Sequence, residues 1–223
     1  MVIFQNMKVM SVIILYLYSS LCFAITEKEA IDFYKNRTEE FTPLKAFNNF
    51  KELSELGNNN AKVFMYALFY EYPKKLEVYA AYSINSLAEA ARAGDRLAQY
   101  NLGLILIRGL FVQKDMELGL TWLEKSAMQG EISSIELLGV TYSKLSEAGI
   151  NSAYSEKAHH WLQQAVVNES EKPQIYLLFG MSVYDLTGDY NEATDYINKA
   201  KRLGGKGAND VLALLSQKHN LIG

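Results

Sequence analysis

The sequence predicts an all-α protein, a solenoid in which pairs of short helices recur along the chain and stack on one another. Two observations support this prediction. The 223 residues include only three prolines, and 49% are hydrophobic and 21% charged, which is typical of a folded protein that can form long uninterrupted helices. A pattern of small and aromatic residues also recurs at intervals of about 37 residues, and such periods are typical of helical repeat architectures.

The charge balance argues against nucleic acid as a partner. The chain has 22 Lys and Arg residues against 25 Asp and Glu residues, for a formal net charge of −3. Binding to phosphate backbones needs a basic excess that this composition lacks. We therefore expect no nucleic-acid partner.

The first 24 residues have the order of a secretory signal peptide. Lys8 is their only charged residue, an apolar run follows over 9–18, and Cys22 and Ala24 are the small residues before a cleavage point. We expect residues 1–24 to be a signal peptide, with translation starting at Met1 or Met7. The protein would then be exported, with the periplasm favoured over the cell surface or secretion.

Two alternatives to cleavage remain open. An uncleaved membrane anchor would need about 20 apolar residues, more than this run provides. A lipoprotein would attach lipid at Cys22, but the bulky Leu21 stands where a small residue is required. Because Cys22 is the only cysteine, the cleaved chain would have no disulfide, which favours a bacterial periplasm. Cleavage would also remove the apolar run and leave no stable membrane span.

The repeat is defined by small residues inside apolar stretches and by aromatic residues that follow them. The small residues are spaced 36, 36 and 41 residues apart, at Ala67, Gly103, Gly139 and Gly180. The aromatic residues stand at Trp122, Trp161 and Tyr196. Glycine is costly in a helix and is tolerated where a neighbouring backbone comes close, so these positions predict contacts within and between stacked helix pairs.

Capping signals place the helix ends. Thr26 with Glu29 forms a capping box, Thr42 precedes a proline, and Asp115 and Asp189 are expected N-caps. The predicted helices lie near 26–36, 43–56, 60–71, 77–93, 96–109, 116–129, 132–146, 153–167, 172–187, 190–203 and 207–218.

One copy of the repeat contains a long set of distinctive residues. They are the string AQYNLG at 98–103, then Gly109, Val112, Asp115, Trp122, Lys125, Ala127, Gln129 and Gly130. This copy closely resembles the Sel-one-like repeat, a relative of the tetratricopeptide repeat. The resemblance implies a right-handed α-solenoid of stacked helix-turn-helix repeats that binds other proteins. It predicts N-terminal capping helices at 25–59, about four repeats at 60–204 and a C-terminal capping helix at 205–223.

No motif for catalysis or metal binding stands out. His159 and His160 are adjacent and point about 100° apart on a helix, so they cannot chelate one metal as an i, i+4 pair can. The chain has neither a Gly-Xaa-Ser-Xaa-Gly elbow nor a phosphate-binding glycine-rich loop. We expect no enzyme activity, no metal site and no cofactor.

The predicted binding positions are those in the first helix of each repeat whose residue type changes between copies. They lie three residues before or five after the repeated small residue and share one helix face: Phe64, Tyr72, Tyr100, Arg108, Glu136, Lys144 and Asp185. In a solenoid the first helices line the concave surface. These positions therefore predict a mixed aromatic and charged groove, with an ordinary solvated rim as the alternative.

The resemblance also suggests what an exported protein of this kind does. Its sharpest implication is an immunity protein that binds a phospholipase-type toxin delivered by type VI secretion and neutralises it in the periplasm. The alternatives are an adaptor for envelope assembly, regulation or host interaction, and a hydrolase of cell-wall or β-lactam substrates. The hydrolase is disfavoured because the β-lactam-binding members are rich in cysteine and this chain is not.

Overall fold

The computed structural model describes residues 25–149, 151 and 153–221. The predicted signal peptide at 1–24 lies outside the described residues. Within them the secondary structure is helical, with no strand, which confirms the predicted all-α class. The α-helices are α1 (Glu27–Asn36), α2 (Pro43–Glu55), α3 (Asn59–Glu71), α4 (Ala80–Arg92), α5 (Arg96–Arg108), α6 (Met116–Met128), α7 (Ile132–Glu147), α8 (Ala153–Val167), α9 (Pro173–Thr187), α10 (Tyr190–Arg202) and α11 (Ala208–Asn220).

The helix bounds agree with the predicted ones to within two residues, except at the start of α4. That helix was expected from residue 77, but Glu77–Tyr79 form one turn of 3-10 helix and the α-helix begins at Ala80. No side chain caps either of these starts, so the capping signals that locate other helices are missing here.

The predicted capping residues hold the helix starts. The Thr26 hydroxyl accepts from the backbone N–H of Glu29, whose carboxylate accepts from the backbone N–H of Thr26 at 2.8 Å. Thr42, Asp115 and Asp189 each accept a backbone N–H three residues further on. These four signals were read correctly because a cap depends only on residues within one helical turn.

Residues 25–93 form a first unit that contains α1 to α4. Each helix packs against the next one along the chain. The core of this unit is rich in aromatic and large aliphatic residues, with Phe47, Phe50, Met65 and Leu68 fully buried.

Residues 94–221 form a second unit that contains α5 to α11. The most extensive contacts join α5 to α6, α7 to α8 and α9 to α10, and α7 also packs against α9. These are the helix pairs of three successive repeats. Their shared core includes Leu123, Leu138, Leu162, Phe179 and Ile197. The predicted limits of the repeat region, 60–204, and of its two capping regions stay predictions.

The repeated small residues lie where two helices approach closely. A Cβ added to Gly103 would stand 2.8 Å from the carbonyl oxygen of Gly119 in the partner helix. One added to Gly180 would stand 2.7 Å from the carbonyl oxygen of Ala193, and one added to Gly139 would stand 2.9 Å from the Leu162 side chain. The neighbouring backbone therefore requires glycine at Gly103 and Gly180, whereas at Gly139 the closest contact is a side chain. Ala67 occupies the same register in α3 and is partly exposed.

The repeated aromatic residues lie on the second helices. Trp161 is 9% exposed and belongs to the core of the second unit. Trp122 is half-buried, with the Lys125 ammonium 4.4 Å from its ring centre. Tyr196 packs its ring against the edge of Phe179 at a centroid distance of 4.7 Å. Each of the three thus covers apolar surface within its repeat.

Among the helices of the described residues, none combines the length and the hydrophobicity that crossing a lipid bilayer requires.

Candidate functional site

A cavity of about 230 Å³ opens between the first helices of three successive repeats, α5, α7 and α9. Its lining residues are Tyr100, Leu104, Arg108, Ser133, Glu136, Leu137, Val140, Lys172, Gln174 and Ile175. We call it the first cavity. It brings together Tyr100, Arg108 and Glu136, three of the predicted groove positions.

Glu136 is the buried charge of this cavity. Its side chain is only 9% exposed, and its two carboxylate oxygens accept hydrogen bonds of 2.5 Å, one from the Ser170 hydroxyl and one from the Lys172 ammonium. Glu136 thus lines the cavity with its carboxylate already paired within the chain, and its part in binding a partner stays a prediction. Its carboxylate ties α7 to the connection that leads into α9, and so fixes one wall of the cavity.

Arg108 carries the positive charge of the cavity. It stands exposed in the last turn of α5, where a cation interacts favourably with the helix dipole. No ion pair involves Arg108 within the described part of the chain. Lys172 adds a second cation that is 64% exposed, and Glu136 balances one of the two. The first cavity therefore keeps a net positive charge.

A second cavity of about 120 Å³ lies between α7, α8 and α9. Its lining residues are Ser143, Ser146, Glu147, Ser155, Ala158, Leu178, Met181, Ser182, Asp185 and Leu186. Asp185, another predicted groove position, accepts a hydrogen bond from the Lys218 ammonium at 2.9 Å. Over the residues with described positions, Glu147 is not part of an ion pair.

Both cavities lie along the surface between α7 and α9. The residues that line them recur at helical spacing along one face of each helix: Glu136, Val140, Ser143 and Glu147 on α7, and Gln174, Leu178, Met181 and Asp185 on α9. The first cavity meets the beginning of both helices and the second meets their ends, so the two helices run in the same direction. At a rise of about 1.5 Å per residue, Glu136 and Glu147 are about 16 Å apart along α7. We call this surface the α7–α9 groove.

The other predicted positions lie elsewhere. Lys144 is exposed on α7 and lines neither cavity. Phe64 and Tyr72 belong to the first unit, where Phe64 stacks on Phe50 at a centroid distance of 4.8 Å. The Tyr72 hydroxyl accepts a hydrogen bond of 2.7 Å from the Arg37 guanidinium. Both aromatic side chains thus have partners within their own unit, and their part in a binding groove stays a prediction.

Tyr142 on α7 is a buried residue whose hydroxyl contacts two partly exposed charged side chains. Its hydroxyl donates to the Glu124 carboxylate at 2.7 Å and also accepts from the Lys157 ammonium at 3.2 Å. Burial, together with the hydrogen bond to Glu124, raises the pKa of Tyr142 to about 12.

We expect this contact to make the protein less stable in strong alkali. Because the pKa of Tyr142 is higher in the folded chain than the usual 10, its contribution to stability is complete below pH 10 and is lost as the pH rises towards 12. Denaturation at several pH values should show the decline, and Tyr142→Phe should make it shallower. An equal decline in the Phe variant would contradict the assignment to this residue.

The histidines do not assemble a metal site in the region the structure describes, where no three His, Cys, Asp or Glu side chains come together. His159 packs on Phe179 at a centroid distance of 5.1 Å, and its Nδ1 lies 3.1 Å from the Ser182 hydroxyl. Burial lowers the pKa of His159. Burial therefore favours the neutral form of this ring in the packing between α8 and α9.

Sequence reasoning missed three charged or polar members of the site, Glu147, Ser170 and Lys172. The last two could have been found from their distance to Glu136, which is 34 and 36 residues, or about one repeat. Residues one repeat apart meet in a solenoid, so opposite charges at that interval are a signal for contact.

Comparison with protein families and solved structures agrees with this geometry. A model of the Sel1 repeat matches residues 96–131, which contain α5 and α6, and residues 155–166 in α8. These two segments therefore carry Sel1 repeat sequence, which confirms the predicted resemblance to the Sel-one-like repeat.

Two solved structures are similar in fold. A Sel1 repeat protein from Oxalobacter formigenes matches with 16% identity and a TM-score of 0.61, covering 93% of this chain and 98% of that one. The protein c5321, a protective antigen of uropathogenic Escherichia coli strains with an SLR fold, matches with 22% identity and a TM-score of 0.65. The second match covers 86% of this chain and 41% of c5321. At these identities the likeness shows the solenoid fold alone. No curated protein matches the sequence.

Sel1 repeats generally serve as non-catalytic scaffolds for protein–protein interaction.

Proposed function

We propose that this protein is an exported binding scaffold that holds a segment of one protein partner in the α7–α9 groove. The proposal rests mainly on the exposed guanidinium of Arg108, which makes no ion pair among the described residues and lines the first cavity together with Tyr100. Arg and Tyr are enriched among the residues that contribute most to binding at protein interfaces.

The groove also has walls that are fixed before any partner arrives. The contacts of Glu136 with Ser170 and Lys172 hold the start of α9 against α7. Apolar side chains, including Leu137, Val140 and Leu178, supply surface between the charged ends. A preformed site loses less conformational entropy on binding, which favours affinity.

The finer proposal concerns location and partner. The charged, apolar and small-residue order of residues 1–24 supports export to the periplasm. The resemblance to exported Sel-one-like repeat proteins supports an immunity role against a phospholipase-type toxin of type VI secretion. The groove would then bind the toxin and block its active site or its access to substrate.

The test of this function is protection together with complex formation. Cells that make such a toxin in the periplasm, encoded beside this chain, are compared with and without co-expression of the chain, and the tagged chain is captured from envelope extract. One stoichiometric toxin and restored growth are expected. A set of assembly or secretion components would support the adaptor instead, and neither protection nor any bound protein would contradict the scaffold.

Once a partner is identified, its affinity for Arg108 variants gives a sharper test of the groove. Arg108→Glu is expected to weaken its binding by about tenfold, because the substitution places a like charge against the group that the guanidinium attracts. The matched control is Arg92→Glu, which reverses an exposed arginine in the last turn of α4 and lies outside the groove. Equal affinities for the two variants, measured by calorimetry, would count against the groove.

A further inference from the structure

We propose that the α7–α9 groove is polarised and binds an extended segment in one direction, with a carboxylate at the first cavity and a cation at the second. This inference rests on the proposed function, since it names the chemistry of the segment that the scaffold holds. It is argued from the charges at the two ends of the groove and from the direction of the two helices.

The first end of the groove is positive for two independent reasons. Arg108 and Lys172 line the first cavity, and only one of their charges is balanced by Glu136. The first turn of α9 also lies there, since Gln174 is its second residue and no side chain caps this helix, whereas the Glu131 carboxylate already caps α7. Helix N-termini carry a partial positive charge that favours an anion.

The second end is negative for the same two kinds of reason, its charged side chains and its helix termini. Glu147 is the last residue of α7 and Asp185 lies in the last turn of α9, so both carboxylates stand at helix C-termini, which carry partial negative charge. Lys218 pairs with Asp185, but both side chains are more than half exposed. Exposed pairs of this kind are weak, so a cation from a partner can replace Lys218.

The space between the ends sets the length of the segment. Glu136 and Glu147, which mark the beginning and the end of the groove on α7, are about 16 Å apart, and an extended chain advances about 3.3 Å per residue, so about five residues span the groove. Leu178 and Met181 line its middle on α9 and offer apolar contact to the side chains in between. The expected segment therefore has an acidic residue and a basic residue separated by a short, mainly apolar stretch.

The test is selection from a library of random 12-residue peptides displayed on phage, with the purified chain as the target. We expect selected peptides to carry Asp or Glu about five residues from Lys or Arg, always in the same order along the peptide. Synthetic peptides from this set should bind Arg108→Glu about tenfold more weakly than the unmodified chain. Replacing the peptide's acidic residue by lysine should restore binding to that variant.

The other end is tested with Glu147→Lys, which should weaken binding of the same peptides by about fivefold. Its matched control is Glu55→Lys, at the last residue of α2 and outside the groove. Circular dichroism verifies that the variants fold, and Arg108→Gln and Glu147→Gln are used where they do not. Peptides that bind without a fixed order of charge would contradict the proposed direction of binding but not the scaffold function. Recovery of no peptide would contradict both proposals.

Discussion

Replacing Phe179 by alanine is expected to lower the free energy of unfolding by about 3–5 kcal/mol. The side chain is 3% exposed in the middle of α9. It contacts His159 of α8 and Tyr196 of α10, with ring centroids 5.1 and 4.7 Å away. One deletion therefore removes packing between three consecutive helices and leaves a cavity that the surrounding rings cannot fill.

The measurement is chemical denaturation followed by circular dichroism, with two reference variants. Leu186→Ala removes an apolar side chain that is 46% exposed on the same helix and should cost less than about 1 kcal/mol. Phe179→Leu keeps most of the volume and should fall between the two. If Phe179→Ala were as stable as Leu186→Ala, α9 would not be held by α8 and α10 through this ring.

A single methyl group at Gly103 is expected to destabilise the protein by about 1–3 kcal/mol. Helix propensity alone predicts the opposite, since alanine favours a helix over glycine by about 1 kcal/mol. The added Cβ would stand 2.8 Å from both the Gly119 carbonyl oxygen and Leu123 Cγ. Backbone cannot rotate away as a flexible side chain can, so α5 and α6 must move apart.

The control for Gly103→Ala is the reverse change in the same register, Ala67→Gly in α3. It should cost about 1 kcal/mol, the loss of helix propensity alone. Thermal and denaturant unfolding of both variants measure these changes in stability. A Gly103→Ala protein that is more stable than the parent would mean that the two helices are not in close contact at this point.

Much of the fold could be predicted because its signals are local. The Thr26 capping box and the Asp115 and Asp189 caps each involve one helical turn, and Gly103 and Gly139 each mark a close approach of the two helices of one repeat. The small residue recurs in four copies of the repeat, so its role in one copy predicts its role in the others. The start of α4 differed because no cap marks it.

The site was less predictable because its geometry depends on contacts between copies. The positions of Tyr100, Arg108 and Glu136 were predicted from the variation between repeats. The burial of Glu136 was not, because Ser170 and Lys172 come from a connection whose course no local pattern gives. Tyr72 also has a partner that no local pattern predicts, because Arg37 lies 35 residues before it in the sequence.

The pairing of each helix with its neighbours in the sequence has a kinetic consequence. In the second unit, the main packing contacts join consecutive helices, and α7 with α9 adds a contact that skips only one. Contact order is then low, and chains of low contact order fold in microseconds to milliseconds, because each step closes only a short loop. Opening can likewise begin at the α11 end, which has one neighbour along the chain, while the central helices stay folded.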